Sequence, residues 1–501
     1  MFRSIREELR RRSSEKLDGV EGKRTIMSWM SVFRADVEAK IPHDENTLRE
    51  LICQGEYNCI GKSHSYNGVQ LAPGTNAMMM REGGLKWLEY KPTTKTVVVG
   101  ASVSVEELKR YLLKHKRRMV NSGNYMAQTV VGALIAGTHG YGPGPVMADG
   151  VVRLVFLNGE GERVELKKGD KDFNLVALSF GVIAPIIEVE LVTAPLQQYT
   201  SDAYITRLSK KDSLTEGAEA VSWAAAPYSD PADPMVMVHC LRPLQGEPTE
   251  PKTKGPSLFS LSFIVEWLLR QLWLMDRVFP SLRRKLQRFA YRLKIEKHQH
   301  KTTAEDDLDY LYDPEPGLQR DRGPDLLTGF FSTTHTAYNL AFFVPLDRQE
   351  AVVRFIMLEI EKYRDLGFYL KSMIGIRELR GHSELPFAAT FNGPVAAIDI
   401  FSDPRDYAWL ERLQREVMAY EPRTRPHFGK SALVPEYREV LGKQNLRDLF
   451  KIHTRHFPQQ RLMFSEPVRR LLDIGRALPG TSAADAELAS APPQSDEPQN
   501  A

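Results

Sequence analysis

The sequence predicts an α+β protein of at least two domains, and three observations lead there. The chain has 501 residues, 42% of them hydrophobic and 26% charged, enough to bury two or more cores. From about residue 41 to 195, short helical and strand patterns alternate. Within that stretch lies GNYMAQTVVGALIAGTHGYG (residues 123–142), with five glycines and hardly any charge. Such a composition suits backbone lying close against a bound group better than it suits solvated linker.

Each element has its own signal. Residues 1–12 are rich in Arg but carry two acids and no apolar run, so a short solvated helix is expected rather than a secretory or transit leader. Residues 45–52 read as a helix followed by a short apolar step, 96–101 as a strand and 105–115 as a helix. Residues 149–166 alternate apolar and polar positions around Asn158-Gly159, a hairpin signal. Residues 185–193 look strand-like, and the Gly- and Pro-rich stretch 243–256 reads as a surface loop. Residues 479–501 lack large apolar side chains and read as a disordered tail.

Composition narrows the partners. The formal charge is only +3, which excludes a strong global field for nucleic acid, and no nucleic-acid motif appears. Cys53, Cys59 and Cys240 are few and odd in number, which suits a reducing compartment and a cytoplasmic location better than a disulfide framework. His298, His300 and His335 make no metal spacing with nearby carboxylates, so no metal is expected. Residues 258–275 are very apolar but interrupted by Glu266 and Arg270, and 277–294 are basic with one apolar helical face. That is too charged for a spanning helix, leaving a packed helix or a peripheral membrane contact through 258–294.

Chemistry is expected at the glycines. A turn without bulky Cβ atoms lets successive peptide N–H groups converge on an anion, and a diphosphate is a common one. Neither the P-loop pattern nor the Rossmann G-x-G-x-x-G is present, so on spacing alone a tight structural turn fits equally well. A second segment, Gly61-Lys62-Ser63-His64-Ser65, joins glycine to small hydroxyl residues.

Together these segments resemble the vanillyl-alcohol oxidase (PCMH-type) flavoprotein family, and within it the aldonolactone oxidase group with gulonolactone, arabinono-lactone and alditol oxidases. Gly61 to Ser65 is similar to the family's Gly-x-Gly-His-Ser, with Ser63 in place of a glycine. Gln128, Thr129 and Gly132 match Gln-Thr-Val-x-Gly, and Gly137, Thr138, His139 and Gly140 match Gly-Thr-His-Gly. Ser179 to Ile183 look like the segment that closes the flavin domain, and 338–345 is a strand only by this family resemblance. Arg377-Glu378-Leu379-Arg380 contains the Glu-x-Arg pair, and His427-Phe428-Gly429-Lys430 resembles His-Trp-x-Lys with Phe428 for tryptophan.

The resemblance implies a two-lobed FAD-binding domain over 41–195 after an N-terminal extension (1–40). It also implies an α+β cap with an antiparallel sheet over 196–430, and a segment 431–478 packing back on the flavin domain before the tail. It implies FAD held by Gly61, Lys62, Ser63, His64, Ser65, Gln128, Thr129, Gly132, Gly137, Thr138, His139, Gly140 and Ile183. His64 is either the covalent attachment point or only a hydrogen-bonding neighbour. Lys430, Arg380 and Glu378 are the implied catalytic groups. The two cations would compensate charge on the reduced ring, and Glu378 would bind a substrate hydroxyl or simply pair with Arg380. The implied reaction moves a hydride from a CH–OH group of a sugar lactone, alditol or related polyol to the flavin, with oxygen or another acceptor reoxidising it. Two alternatives stay open: a lipid-linked or sterol alcohol taken at a membrane surface, and a non-catalytic membrane-associated scaffold on a degenerate flavoprotein fold.

Overall fold

The computed structural model describes residues 21–28, 33–123, 126–140, 142–197, 199–243, 304–305, 338–366, 368, 370, 373–402, 406–432, 434–459 and 462–473. The expectations for 1–12, 258–294 and 479–501, for nearly all of the loop 243–256, and for His298, His300 and His335 lie outside these residues. Among the described residues no helix is long and apolar enough to cross a membrane.

The first lobe is a four-stranded sheet of β1 (Gly22–Met27), β2 (Arg34–Lys40), β3 (Tyr57–Ile60) and β4 (Asn76–Met79), in the order β1-β2-β4-β3. The β1–β2 pair is antiparallel and the rest parallel. Helix Glu45–Gln54 starts where the Asp44 side chain accepts a hydrogen bond from Thr47 N at 2.7 Å, and it buries Leu48 and Ile52. Residues 22–27 and 34–40, assigned above to an extension, are therefore part of this sheet. Their period-two alternation, with Ala35, Val37 and Ala39 inward, is masked by charged outward residues.

The second lobe contains β5 (Leu88–Lys91), β6 (Thr96–Gly100), β7 (Arg117–Met119), β8 (Val151–Leu157), β9 (Arg163–Lys167) and β10 (Ile186–Pro195). Their order is β5-β6-β10-β8-β9, with β7 also on β10. A Ser104/Glu107 capping box opens helix Val105–Lys114. The predicted hairpin is β8–β9, but its connection is longer than a two-residue turn. Asn158 Oδ1 accepts from Glu160 N and Glu162 N, and Gly161, not Gly159, takes the left-handed conformation at φ 78°.

An eight-stranded sheet follows: β11 (Tyr199–Arg207), β12 (Ala220–Ala225), β13 (Met235–Pro243), β14 (Ala304–Glu305), β15 (Tyr338–Pro345), β16 (Ile374–Leu379), β17 (Val395–Ser402) and β18 (Arg425–Pro426). The order is β14-β11-β13-β12-β16-β17-β15-β18, and every pairing is antiparallel. Helices Gln349–Asp365 and Tyr407–Tyr420 cover one face, burying Val238, Phe342, Ile376, Ile398 and Leu413 in a single core. Each such side chain contributes roughly 1.5–3 kcal/mol. On the opposite face Phe343, Leu379, Val395 and Ala397 join the core of the lobes instead. Helices Glu436–Leu441, Lys443–His456 and Glu466–Leu472 pack on that same core. They are tied to it by Met463 N to Tyr57 O at 2.7 Å and by His453 Nδ1 with Val182 O at 2.9 Å.

Candidate active site

The two glycine segments meet. A Cβ built on Gly61 would lie 2.7 Å from Thr129 Oγ1, and one on Gly132 would lie 2.6 Å from the same atom. Thr129 opens helix Val130–Ile135, its hydroxyl accepting from Gly132 N at 3.2 Å. Any side chain at either glycine would displace that cap. Ser63 adopts φ 58°, so it keeps the left-handed backbone that a glycine provides more easily. Its hydroxyl donates to Met27 O at 2.7 Å and accepts from Gln70 Nε2 at 2.9 Å, which holds a conformation its Cβ disfavours.

The first loop also docks on residues 428–431. Tyr66 N donates to Gly429 O at 2.7 Å, and Asn67 Nδ2 donates to Phe428 O at 2.6 Å and to Ser431 O at 2.7 Å. The second loop docks on β16, where Gly142 N donates to Glu378 O at 2.8 Å and Arg380 N donates to Gly142 O at 2.9 Å. Two loops far apart in sequence thus converge on the eight-stranded sheet.

A charged cluster lies where they converge. Asp399 on β17 receives Arg377 at 2.5 Å, Lys430 at 2.7 Å and Asn339 at 3.0 Å. Burial alone would raise the Asp399 carboxyl, but Arg377 and Lys430 overrule it and hold it well below the usual carboxylate range. Desolvation lowers Lys430 even though Asp399 opposes the change. Beside the cluster, the His139 ring sits 4.8 Å from Phe343 and 5.4 Å from His427. Desolvation drives His139 down to about 3, with Arg377 and Lys430 adding to the effect. His427 is pushed well below its ordinary value by burial first and Lys430 second, so both imidazoles are neutral. His64 is partly accessible yet crowded by protein, and desolvation, helped by Lys62, lowers it to about 3.

Of the three groups expected to be catalytic, the structure brings only Lys430 into this cluster. On β16 the side chains of 374 and 376 enter the helix-covered core, and strand alternation sends Glu378 the same way. There it accepts from Gln349 Nε2 at 3.1 Å and Arg380 at 2.9 Å, with Lys211 at 3.6 Å. Arg380 donates also to Ala218 O at 3.0 Å. Glu378 is buried while Arg380 reaches the surface, so their ion pair lies on the far face of the sheet and not in the Arg377–Asp399–Lys430 cluster beside which the motif would place it. Arg377 and Asp399, which sequence reasoning missed, stand on the near face. Arg377 was legible in the quoted motif had the strand phase been known; Asp399, on another strand, carried no local signal.

The residues fit a dinucleotide. Gln128 Oε1 and Ser179 Oγ are buried polar atoms without a hydrogen-bond partner among the described residues, which a bound polar group would satisfy. Ile183 is fully buried in the core of the lobes, and His139 Nδ1 lies 3.0 Å from Gly140 O.

Comparison with known proteins agrees. Residues 42–167 match the FAD binding domain family. The chain is 26% identical over 307 residues to D-arabinono-1,4-lactone oxidase of Candida albicans, covering 55% of this chain and 53% of that protein. It is 24% identical over 202 residues to alditol oxidase of a Streptomyces species, covering 39% and 48%. The chain thus spans about half the length of the curated relatives it matches. Among solved structures it is similar to a solvent-stable cholesterol oxidase (TM-score 0.67, 14% identity, 90% of this chain and 97% of that one). Cholesterol oxidase from B. sterolicum is likewise similar (TM-score 0.69, 13% identity, 90% and 97%). At these identities the likeness is one of fold.

Proposed function

We propose that this chain, a PCMH-type flavoprotein whose residues 42–167 form its FAD binding domain, is an FAD-dependent oxidoreductase that oxidises a CH–OH group of a sugar lactone, alditol or related polyol. The observation that carries the reading is the convergence of the loops at 61–65 and 128–140 on the Arg377–Asp399–Lys430 cluster. When bound, FAD supplies the two-electron acceptor for the hydride. In this reading the loop residues 61–65, Gln128, Thr129, Gly132 and 137–140 hold the cofactor, with Ile183 packed behind them. Lys430 and Arg377 offset negative charge that develops during the reaction, in a site too enclosed for water to do so. Neutral His139 and His427 border the reacting groups without competing for that charge. Glu378 and Arg380 brace β16 from behind. The polar lining supports a polyhydroxylated substrate, as do the relatives named for arabinono-lactone and alditols.

Covalent attachment through His64, oxygen as acceptor, a cytoplasmic location and peripheral membrane contact through 258–294 belong to the same reading and rest on sequence alone. The test is an absorption spectrum of the purified protein followed by anaerobic titration with lactones, alditols and hydrophobic alcohols. Bleaching by lactones or alditols is expected. A colourless protein, or one bleached only by hydrophobic alcohols, refutes it. Acid precipitation that leaves all colour in the supernatant refutes the His64 bond.

A further inference from the structure

Resting on that reading, we propose that Asp399 is the carboxylate that binds the substrate hydroxyl, supplied from the strand next to the one where the Glu-x-Arg spacing would put it, and that Gly375 makes room for it. The argument begins with strand phase. On β16 the near face carries 375, 377 and 379, so the two-apart pair that looks toward the FAD binding domain is Gly375 and Arg377. That face of the strand has an arginine at the expected place and no acid.

The acid stands directly across. Gly375 is the register partner of Asp399, and a Cβ built on Gly375 would meet only Asp399 O at 3.7 Å and Asp399 Cβ at 3.9 Å. The position is vacant rather than crowded, and the neighbouring carboxylate borders the gap. Arg377 Nη2 donates to Asp399 Oδ2, whereas Lys430 Nζ and Asn339 Nδ2 both donate to Oδ1. An ionised carboxylate offers about four acceptor positions, so Oδ2 keeps one for a further donor. Two cations fix its rotamer and keep it ionised, which is what an acceptor for a substrate O–H needs.

The surroundings admit a ligand. On β12, β13 and β16 the helix-side residues 223, 225, 236, 238, 374 and 376 are buried, while Ala224, Met237, Gly375 and Arg377 on the other face are half-buried. Side chains of Asp399, Arg377 and Lys430 retain 8%, 14% and 19% exposure. Ala224, Gly375 and Asp399 lie in one register row across three strands, so small residues floor the approach to the carboxylate. Asp399 orients the alcohol by accepting its O–H, and Arg377 and Lys430 hold Asp399.

The experiment uses the full chain loaded with FAD, with D-arabinono-1,4-lactone and xylitol as probes and the anaerobic bleaching rate as readout. Asp399→Asn should keep the flavin spectrum and lose bleaching by about 100-fold, the scale of a lost preorganised polar contact. The double variant Gly375→Glu with Asp399→Asn returns the carboxylate to β16 and should regain at least about tenfold of that loss. Wild-type bleaching in Asp399→Asn, or a double variant no faster than the single one, overturns the inference while leaving the flavoenzyme reading intact. Should Asp399→Asn fail to retain FAD, Gly375→Glu alone decides. It fills the seat beside Asp399 with a like charge and should slow bleaching, and an unchanged rate overturns the inference. A wild-type protein that is yellow but bleached by neither probe sinks the parent reading, and the inference with it.

Discussion

Gly381→Ala tests whether the joint between the cap sheet and the second glycine loop positions the site. A Cβ at 381 would sit 2.4 Å from Pro145 N and 2.7 Å from Gly144 C, both backbone atoms, where ordinary contact begins at 3.4 Å. Relief requires the two segments to separate by about 1 Å, since neither atom belongs to a side chain that can swing away. The neighbouring bonds, Gly142 N to Glu378 O at 2.8 Å and Arg380 N to Gly142 O at 2.9 Å, would then stretch beyond hydrogen-bonding distance. Two lost bonds between buried groups cost about 2–4 kcal/mol, within the range for unsatisfied backbone. The expected thermal shift is roughly 2–4 °C downward. His139 would move relative to Arg377, and a misplacement of about 1 Å at a reacting centre can cost on the order of 100-fold in rate. Thermal unfolding and anaerobic bleaching measure the two effects. Gly150→Ala is the control, because its added methyl meets only Val192 Cγ2 at 3.9 Å. A Gly381→Ala protein with the control's Tm and bleaching rate would refute the reasoning.

Other expectations follow from the same geometry. Lys430→Met removes a cation that sits 2.7 Å from Asp399; sulfite, which adds to a flavin made electron-poor by nearby positive charge, should bind about tenfold or more weakly by absorbance titration, and unchanged affinity places Lys430 away from the ring. Gly61→Ala displaces the Thr129 hydroxyl from its cap, costing about 1 kcal/mol of local stability; flavin fluorescence should rise at a lower urea concentration than in wild type. Folding should also weaken in acid. His64 and His139 sit near 3 in the folded chain against 6.5 for the free side chain, so the unfolded chain binds more protons between those values. Their contribution is full above 6.5 and lost as pH falls, by roughly 1.4 kcal/mol per pH unit for each histidine. Urea midpoints measured between about pH 7 and pH 5 check this, and a flat profile contradicts it.

Local signals were legible where a few neighbouring residues suffice. The helices beginning at 45 and 105, the β8–β9 hairpin and the glycine segments are written in short stretches, because turns, helix faces and close backbone approach depend on the residues present there. Gly61, Gly132 and Lys430 could be named from motifs for that reason. Three things required the tertiary structure. β1 and β2 are too polar on their outer faces to announce a sheet until β2 pairs with β4 and their inner residues join Ile60, Leu71 and Met79 in one core. Strand phase decided that Arg377, not Glu378, faces the lobes, since a shift of one residue reverses the side of a sheet. Asp399 reaches its cations only through pairing of β16 with β17 and the docking of residues 427–431 on β15. Sequence by itself determined which backbone must be small and which cofactor that backbone suits; folding decided which charges meet, because electrostatic contact depends on distance in space rather than along the chain.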